Sequence, residues 1–175
     1  MVNYRRNRIP GGSYFFTLTL QNRKATTLVE HIDLLRNAFR HAQRQRPFTL
    51  DAIVVLPEHL HTIWTMPKED YDFSSRWHLI KSHFTRVLRA LEGQLEPDSR
   101  GEYRIWQKRF WEHTIRNGED YIRHRDYIHF NPVKHSHVTR VRDWPWSSFH
   151  RYVRQGHYPI DWCGEGCDLE GVGRE

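Results

Sequence analysis

Two histidines one residue apart, His59 and His61, sit in the stretch VVLPEHLHTIWTMP. The segment is rich in β-branched and aromatic residues and reads as a strand, on which side chains alternate. His59, His61 and Ile63 then point one way, and Leu60, Thr62, Trp64 and Met66 the other. Two imidazoles side by side on a rigid element can hold one divalent cation when another ligand arrives from elsewhere in the fold. The plain alternative is a pair of half-buried sheet histidines bonded to polar neighbours. A second constellation lies in EDYIRHRDYIHFNPVKH, where Tyr127 and Asn131 are four apart and so share a helix face. Pro132 is expected to end that helix at or just before Asn131. A phenol and a carboxamide are thus presented together at a helix end, although each alone is more often a packing or helix-end residue. Glu58 can orient a histidine or sit in a wet turn. His113 and His129 are further candidates to reach metal or substrate, and Tyr121, on another helix face, reads as packing.

These side chains need elements to hold them. Tyr14 to Leu20 alternates as a first strand, with Phe15, Thr17 and Thr19 forming a mixed outer face. Thr27 and Glu30 form a capping box, opening an amphipathic helix that runs to about Arg46 before Pro47. Phe48 to Leu56 is a second strand, joined through Pro57-Glu58 to the histidine strand as a hairpin. Ser74 or Ser75 can cap the next helix, whose apolar face is Trp77, Ile80, Phe84, Val87, Leu88 and Leu91. Arg76, Lys81, His83, Arg86 and Arg89 fill the remainder, a face that is either solvated or laid along phosphates. Gly93 to Glu102 is the expected mobile loop, Trp106 to Ile115 a fourth strand, and Asn117-Gly118 the turn into the tyrosine helix. The order β-α-β-β-α-β predicts an α+β fold: a ferredoxin-like antiparallel sheet with helices on one face, plus the C-terminal tyrosine-bearing helix.

The 175 residues suit one domain, and the net charge of +6 with a pI near 9.5 favours a polyanionic partner. No apolar run approaches the length of a bilayer span, and the basic N-terminus leads into Pro10-Gly11-Gly12 and not a signal-peptide core, so a cytoplasmic location is expected. Cys163 and Cys167 read as reduced thiols more readily than as a zinc site with His157. Mixed cationic and stacking residues nominate a nucleic-acid surface: Arg5, Arg6 and Arg8; Trp106, Gln107 and Arg109; Lys134; Trp146 and Arg151. A solvated terminus and a core closed by Trp144, Trp146 and Phe149 are the competing readings.

The opening YRR and PGG-YFFT, the VVLPEHLHTIWTMP stretch, WQKRFWEH, DYIHFNPVKH and VRDWPWSSFHRYV occur together in this order. In them the chain resembles the REP-associated tyrosine transposases, a branch of the single-tyrosine HUH transposases, from about residue 3 to residue 162. The resemblance implies an HUH endonuclease domain over residues 1–160, with a basic arm at 1–12 and a flexible tail at 161–175. It implies cleavage and rejoining of single-stranded DNA through a 5′-phosphotyrosine, with Tyr127 as nucleophile and Mg²⁺ or Mn²⁺ on His59, His61 and Asn131. The implied partner is a REP-like hairpin flanked by a short motif, with no membrane and a monomer favoured over a dimer. Ser136 departs from the glycine many relatives carry there. A non-catalytic hairpin DNA or RNA binder, and a hydrolase using activated water, are the alternative functions.

Overall fold

Alternating apolar residues on β1 (Ser13–Thr19) divide the molecule into two cores. The computed structural model describes residues 7–93, 103, 105–164 and 172. Tyr14, Phe16, Leu18 and Leu20 face α1 (Thr27–Glu30), α2 (Ile32–Gln45) and α3 (Phe73–Glu92), whereas Phe15 faces α4 (Gly118–Lys134). With β2 (Thr49–Val55), β3 (His59–Thr65) and β4 (Trp111–Thr114), β1 forms a four-stranded antiparallel sheet in the order β2-β3-β1-β4. This is the predicted α+β ferredoxin-like plan, with α4 covering the face opposite the other helices. That cover explains why Thr17 and Thr19, read as a mixed outer face, are only 4% and 8% exposed.

β3 is an interior strand, paired on both sides, so its histidines sit in the stiffest part of the sheet. The edge at β2 is extended by the C-terminal segment, where Val55 N–H donates to Trp146 O (2.9 Å) and Ser148 N–H to Ile53 O (2.8 Å). Trp144 Nε1–H donates to Val55 O (3.0 Å), and Phe149 and Tyr158 join the α4-side core from α5 (Phe149–Arg154) and just beyond. Trp144 and Phe149 thus close that core, as the competing reading had it. Trp162 and Val172 also pack there, so at those positions the segment after 160 is part of the fold.

Several boundaries differ from expectation, each for a local reason. The helix expected from Thr27 to Arg46 breaks at His31, and the capping residue is Thr26, whose hydroxyl donates to Glu30 (2.7 Å). Asp72, not Ser74 or Ser75, caps α3 by accepting the Ser75 N–H (3.0 Å), and Gly93, at φ 61°, ends it in the left-handed region that suits glycine. Arg76 is 1% exposed, not on a solvated face. It donates to Asp70 (2.7 Å), Pro47 O (2.7 Å) and Asp72 O (2.9 Å), tying α3 to the turn before β2. Leu91, placed on the apolar face, is 65% exposed. The fourth strand spans only Trp111–Thr114; Trp106 makes an isolated bridge to Leu20. Pro132 lies inside α4, which runs on to Lys134, because a proline costs the helix one N–H while His135 N–H still reaches Asn131 O (3.0 Å). Residues 94–102 of the expected mobile loop lie outside the described residues. Among the described residues no helix is long and apolar enough to cross a membrane.

His129 is fully buried on α4 against Ser148 Oγ (2.9 Å), and burial, aided by the charges of Arg125 and Arg151, pushes its pKa down to about 3. The unfolded chain, titrating near 6.5, then takes up a proton that the folded chain refuses. Stability is full above that value and falls as the pH drops toward 3, by on the order of 2 kcal/mol at pH 5. Denaturant unfolding at pH 7.5 and pH 5 checks this: the acid loss should shrink in His129→Gln, and an unchanged loss would refute it.

Candidate active site

His59 and His61 are fully buried on β3, facing α4, with ring centroids 5.0 Å apart. Each is held through Nδ1. His59 Nδ1 meets Glu58 Oε1 at 2.9 Å, and His61 Nδ1 meets Thr17 Oγ1 at 2.9 Å, the residue opposite it on β1. Burial alone would raise the Glu58 carboxyl, but the hydrogen bond and charge of His59 outweigh it, and the group is held below the usual carboxylate range. Glu58 is therefore an ionised acceptor that fixes the ring, an arrangement common behind metal-bound histidines. In the tautomers that donate Nδ1–H to these partners, both rings turn Nε2 inward. His59 Nε2 is buried with no hydrogen-bond partner among the described residues, a position a cation would satisfy. The donor set at His59 and His61 thus fits a divalent ion.

α4 brings a line of residues over this pair. Tyr127 packs its ring edge-on to His61 (5.2 Å between centroids), and His135 approaches His59 in the same way (5.1 Å). Asn131 lies midway between them at four-residue spacing, fully buried, so its carboxamide belongs to the helix face that meets the histidines. Tyr127 is 1% exposed, yet its phenol is not sealed in apolar packing: Lys134, an exposed residue one turn beyond Asn131, donates from Nζ to Tyr127 Oη (3.1 Å) and lies over the ring (4.8 Å). Asn117 caps the N-terminus of α4 by accepting the Asp120 N–H (2.9 Å), which fixes the start of the helix that presents the phenol.

Other candidates fall elsewhere. His129 is taken by Ser148. His113 bonds Asp120 (2.8 Å) and stacks on His124 (4.4 Å), and these three form a group that could hold a metal ion, distinct from the β3 pair. Tyr121 shares a hydrogen bond with Tyr152 (2.9 Å). Of the residues nominated for nucleic acid, Arg8 is exposed beside Tyr71 and Arg109 is exposed, while Arg5 and Arg6 lie outside the described residues. Trp106 is 8% exposed and packed on Phe84, so it is a core residue; Gln107 carries backbone bonds to Thr19 and Lys81. Trp146 and Arg151 line a cavity over β2 with Arg36, Arg40 and Gln43, and Arg151 bonds the carbonyls of Leu50 and Asp51. The role of Thr17, the approach of His135 to His59 and the contact of Lys134 with the phenol were not visible in the sequence. Their signal is spatial, because strand register and helix docking bring them to the site.

No family model matches the chain. It is 51% identical over 169 residues to the REP-associated tyrosine transposase of Escherichia coli (strain K12), covering 97% of this chain and 95% of that one. A Haemophilus influenzae protein provisionally given the same name is 44% identical over 167 residues, or 94% of each chain. A solved structure of a REP-associated tyrosine transposase bound to a REP hairpin is 49% identical, covers 100% of this chain and 99% of its own, and superposes with a TM-score of 0.86.

Proposed function

The chain belongs to the REP-associated tyrosine transposases, and from that premise we propose that it cuts and rejoins single-stranded DNA beside a REP-type hairpin through a bond between Tyr127 and a 5′ phosphate. The observation that carries this reading is the meeting of Tyr127 with His61 within one chain, under a helix face that also carries Asn131.

The residues divide the work. A phenol is a weak nucleophile at neutral pH, so charge developing on its oxygen must be stabilised as it attacks. Lys134, already donating to that oxygen, supplies a positive charge there and orients a lone pair toward phosphorus. The Tyr127 oxygen forms the bond to phosphorus, the bond to the 3′ oxygen breaks, and the proton lost by the phenol is balanced by the one the departing 3′-OH gains. The bond energy stays in the protein–DNA link, so a 3′-OH can reverse the step without ATP. His59 and His61 through Nε2, with Asn131 through Oδ1, would hold Mg²⁺ or Mn²⁺, and the bound cation would supply Lewis-acid polarisation of the phosphate. Glu58 and Thr17 keep the two rings in the ligating orientation. Because tyrosine and histidines meet in one copy, we read the active unit as a monomer; a solution mass of two chains on the uncut hairpin would contradict that.

The test is an end-labelled oligonucleotide carrying a REP-like hairpin and its flanking single strand, incubated with Mg²⁺ or Mn²⁺. A denaturant-resistant protein–DNA adduct with a free 3′-OH fragment is expected. Binding without cleavage would leave the non-catalytic binder, and cleavage with no adduct would leave a hydrolase. At saturating DNA, Lys134→Met should slow cutting about 10- to 100-fold, with the loss diminishing as the pH is raised. A residue that only held phosphate would weaken binding and leave the saturated rate unchanged.

A further inference from the structure

Beyond the β3 pair, one other set of ligand-type side chains converges among the described residues. His113 comes from β4, Asp120 from the first turn of α4 and His124 from the turn after it, with one ligand atom of each within 4.8 Å of the others. His113 Nε2 lies 2.8 Å from Asp120 Oδ2, His124 Nδ1 lies 3.1 Å from Asp120 Oδ1, and the two rings stack with an interplanar angle of 14°. We propose that this trio is a second cation site, for a Zn²⁺-type ion, that clamps the tyrosine helix to the edge strand.

Two imidazole nitrogens and one carboxylate oxygen are a donor set that Zn²⁺ takes readily, with a fourth position left to water. The three ligand atoms lie within 4.8 Å of one another, against roughly 3.3 Å between ligands around a tetrahedral ion with bonds near 2.05 Å, so the side chains need to close in by no more than about 1.5 Å. Protonation states agree. Burial holds His124 below its ordinary value and therefore neutral. Asp120 is held below the usual carboxylate range: burial opposes this, but the hydrogen bonds from His113 and the Arg116 N–H (2.9 Å) prevail. Without an ion each ring gives an N–H to Asp120; with one, each neutral ring keeps its proton on the other nitrogen. His124 also meets the Asp120 carbonyl (2.8 Å), a contact the ion would replace.

The position has consequences for the site on β3. His124 is three residues before Tyr127 on α4, and the Phe15 ring touches His124 (4.9 Å), His61 (5.5 Å) and Tyr127 (6.0 Å). An ion fixing His124 against His113 would set the seat of the phenol through that shared ring. β4 is a four-residue edge strand paired only to β1, so the trio is a polar link from it to α4.

The test uses the full chain as a His59→Ala/His61→Ala variant, which removes the other cation site and makes the result independent of any cleavage activity. Titrated with Co²⁺ followed by visible absorption, and with Zn²⁺ by calorimetry, this background should bind one equivalent and gain thermal stability. Adding Asp120→Asn or, separately, His113→Gln should weaken uptake at least about a hundredfold. The two variants stand in for each other if either fails to fold, and far-ultraviolet dichroism reports that. No stoichiometric uptake by the background, or uptake unaffected by both added substitutions, would overturn the proposal and leave a hydrogen-bonded staple.

Discussion

Tyr127→Phe should leave a folded protein that binds the hairpin and forms no covalent adduct, with cutting reduced by at least about a thousandfold. The ring is what the fold uses: it packs edge-on to Phe15 (6.0 Å) and His61 (5.2 Å), and phenylalanine keeps both contacts. The proposed chemistry uses the oxygen, to which Lys134 donates a hydrogen bond. Losing that bond costs stability only about 1 kcal/mol, so a dead variant would be dead for want of a nucleophile and not for want of a fold. A denaturing gel of labelled DNA beside an unfolding curve separates the two. Wild-type rates in Tyr127→Phe would mean water attacks the phosphate.

His59→Ala and His61→Ala should each reduce cutting by a comparable factor, and chelation should do the same to the unaltered protein. The controls discriminate: added Mg²⁺ or Mn²⁺ restores the chelated protein and fails to restore either variant, while hairpin binding persists in all of them. Glu58→Gln tests the support behind the ring. It keeps the size of the 2.9 Å partner of His59 Nδ1 but removes its charge, and should raise the cation concentration needed for half-maximal cutting about 10- to 100-fold. Cutting that proceeds fully in a chelator would contradict the role given to the histidine pair.

The strand period places His59 and His61 on one face, and the helix period does the same for Tyr127 and Asn131; both relations were legible from residue spacing. What spacing does not carry is which face covers which. Thr17 and Thr19 looked like an outer surface because they are polar, yet α4 buries them, and Thr17 serves His61 because the register sets the two opposite each other. Trp106 and Arg76 have compositions suited to nucleic acid, but a bridge to Leu20 draws one into the core, and backbone carbonyls around Pro47 capture the other. The cap of α3 was misplaced by two or three residues because Asp72, Ser74 and Ser75 are all good caps, and only the Asp72 carboxylate reaches the Ser75 N–H. Lys134 was read as part of a nucleic-acid surface; the continuation of α4 past Pro132 is what aims it at the phenol.

The central claim concerns one atom, and a protease digest of the trapped protein–DNA product addresses it directly by tandem mass spectrometry. The account predicts a phosphonucleotide remnant on the peptide containing Tyr127, attached through its oxygen. A remnant on Tyr121 or any other residue, or cleaved DNA with no modified peptide, would contradict it.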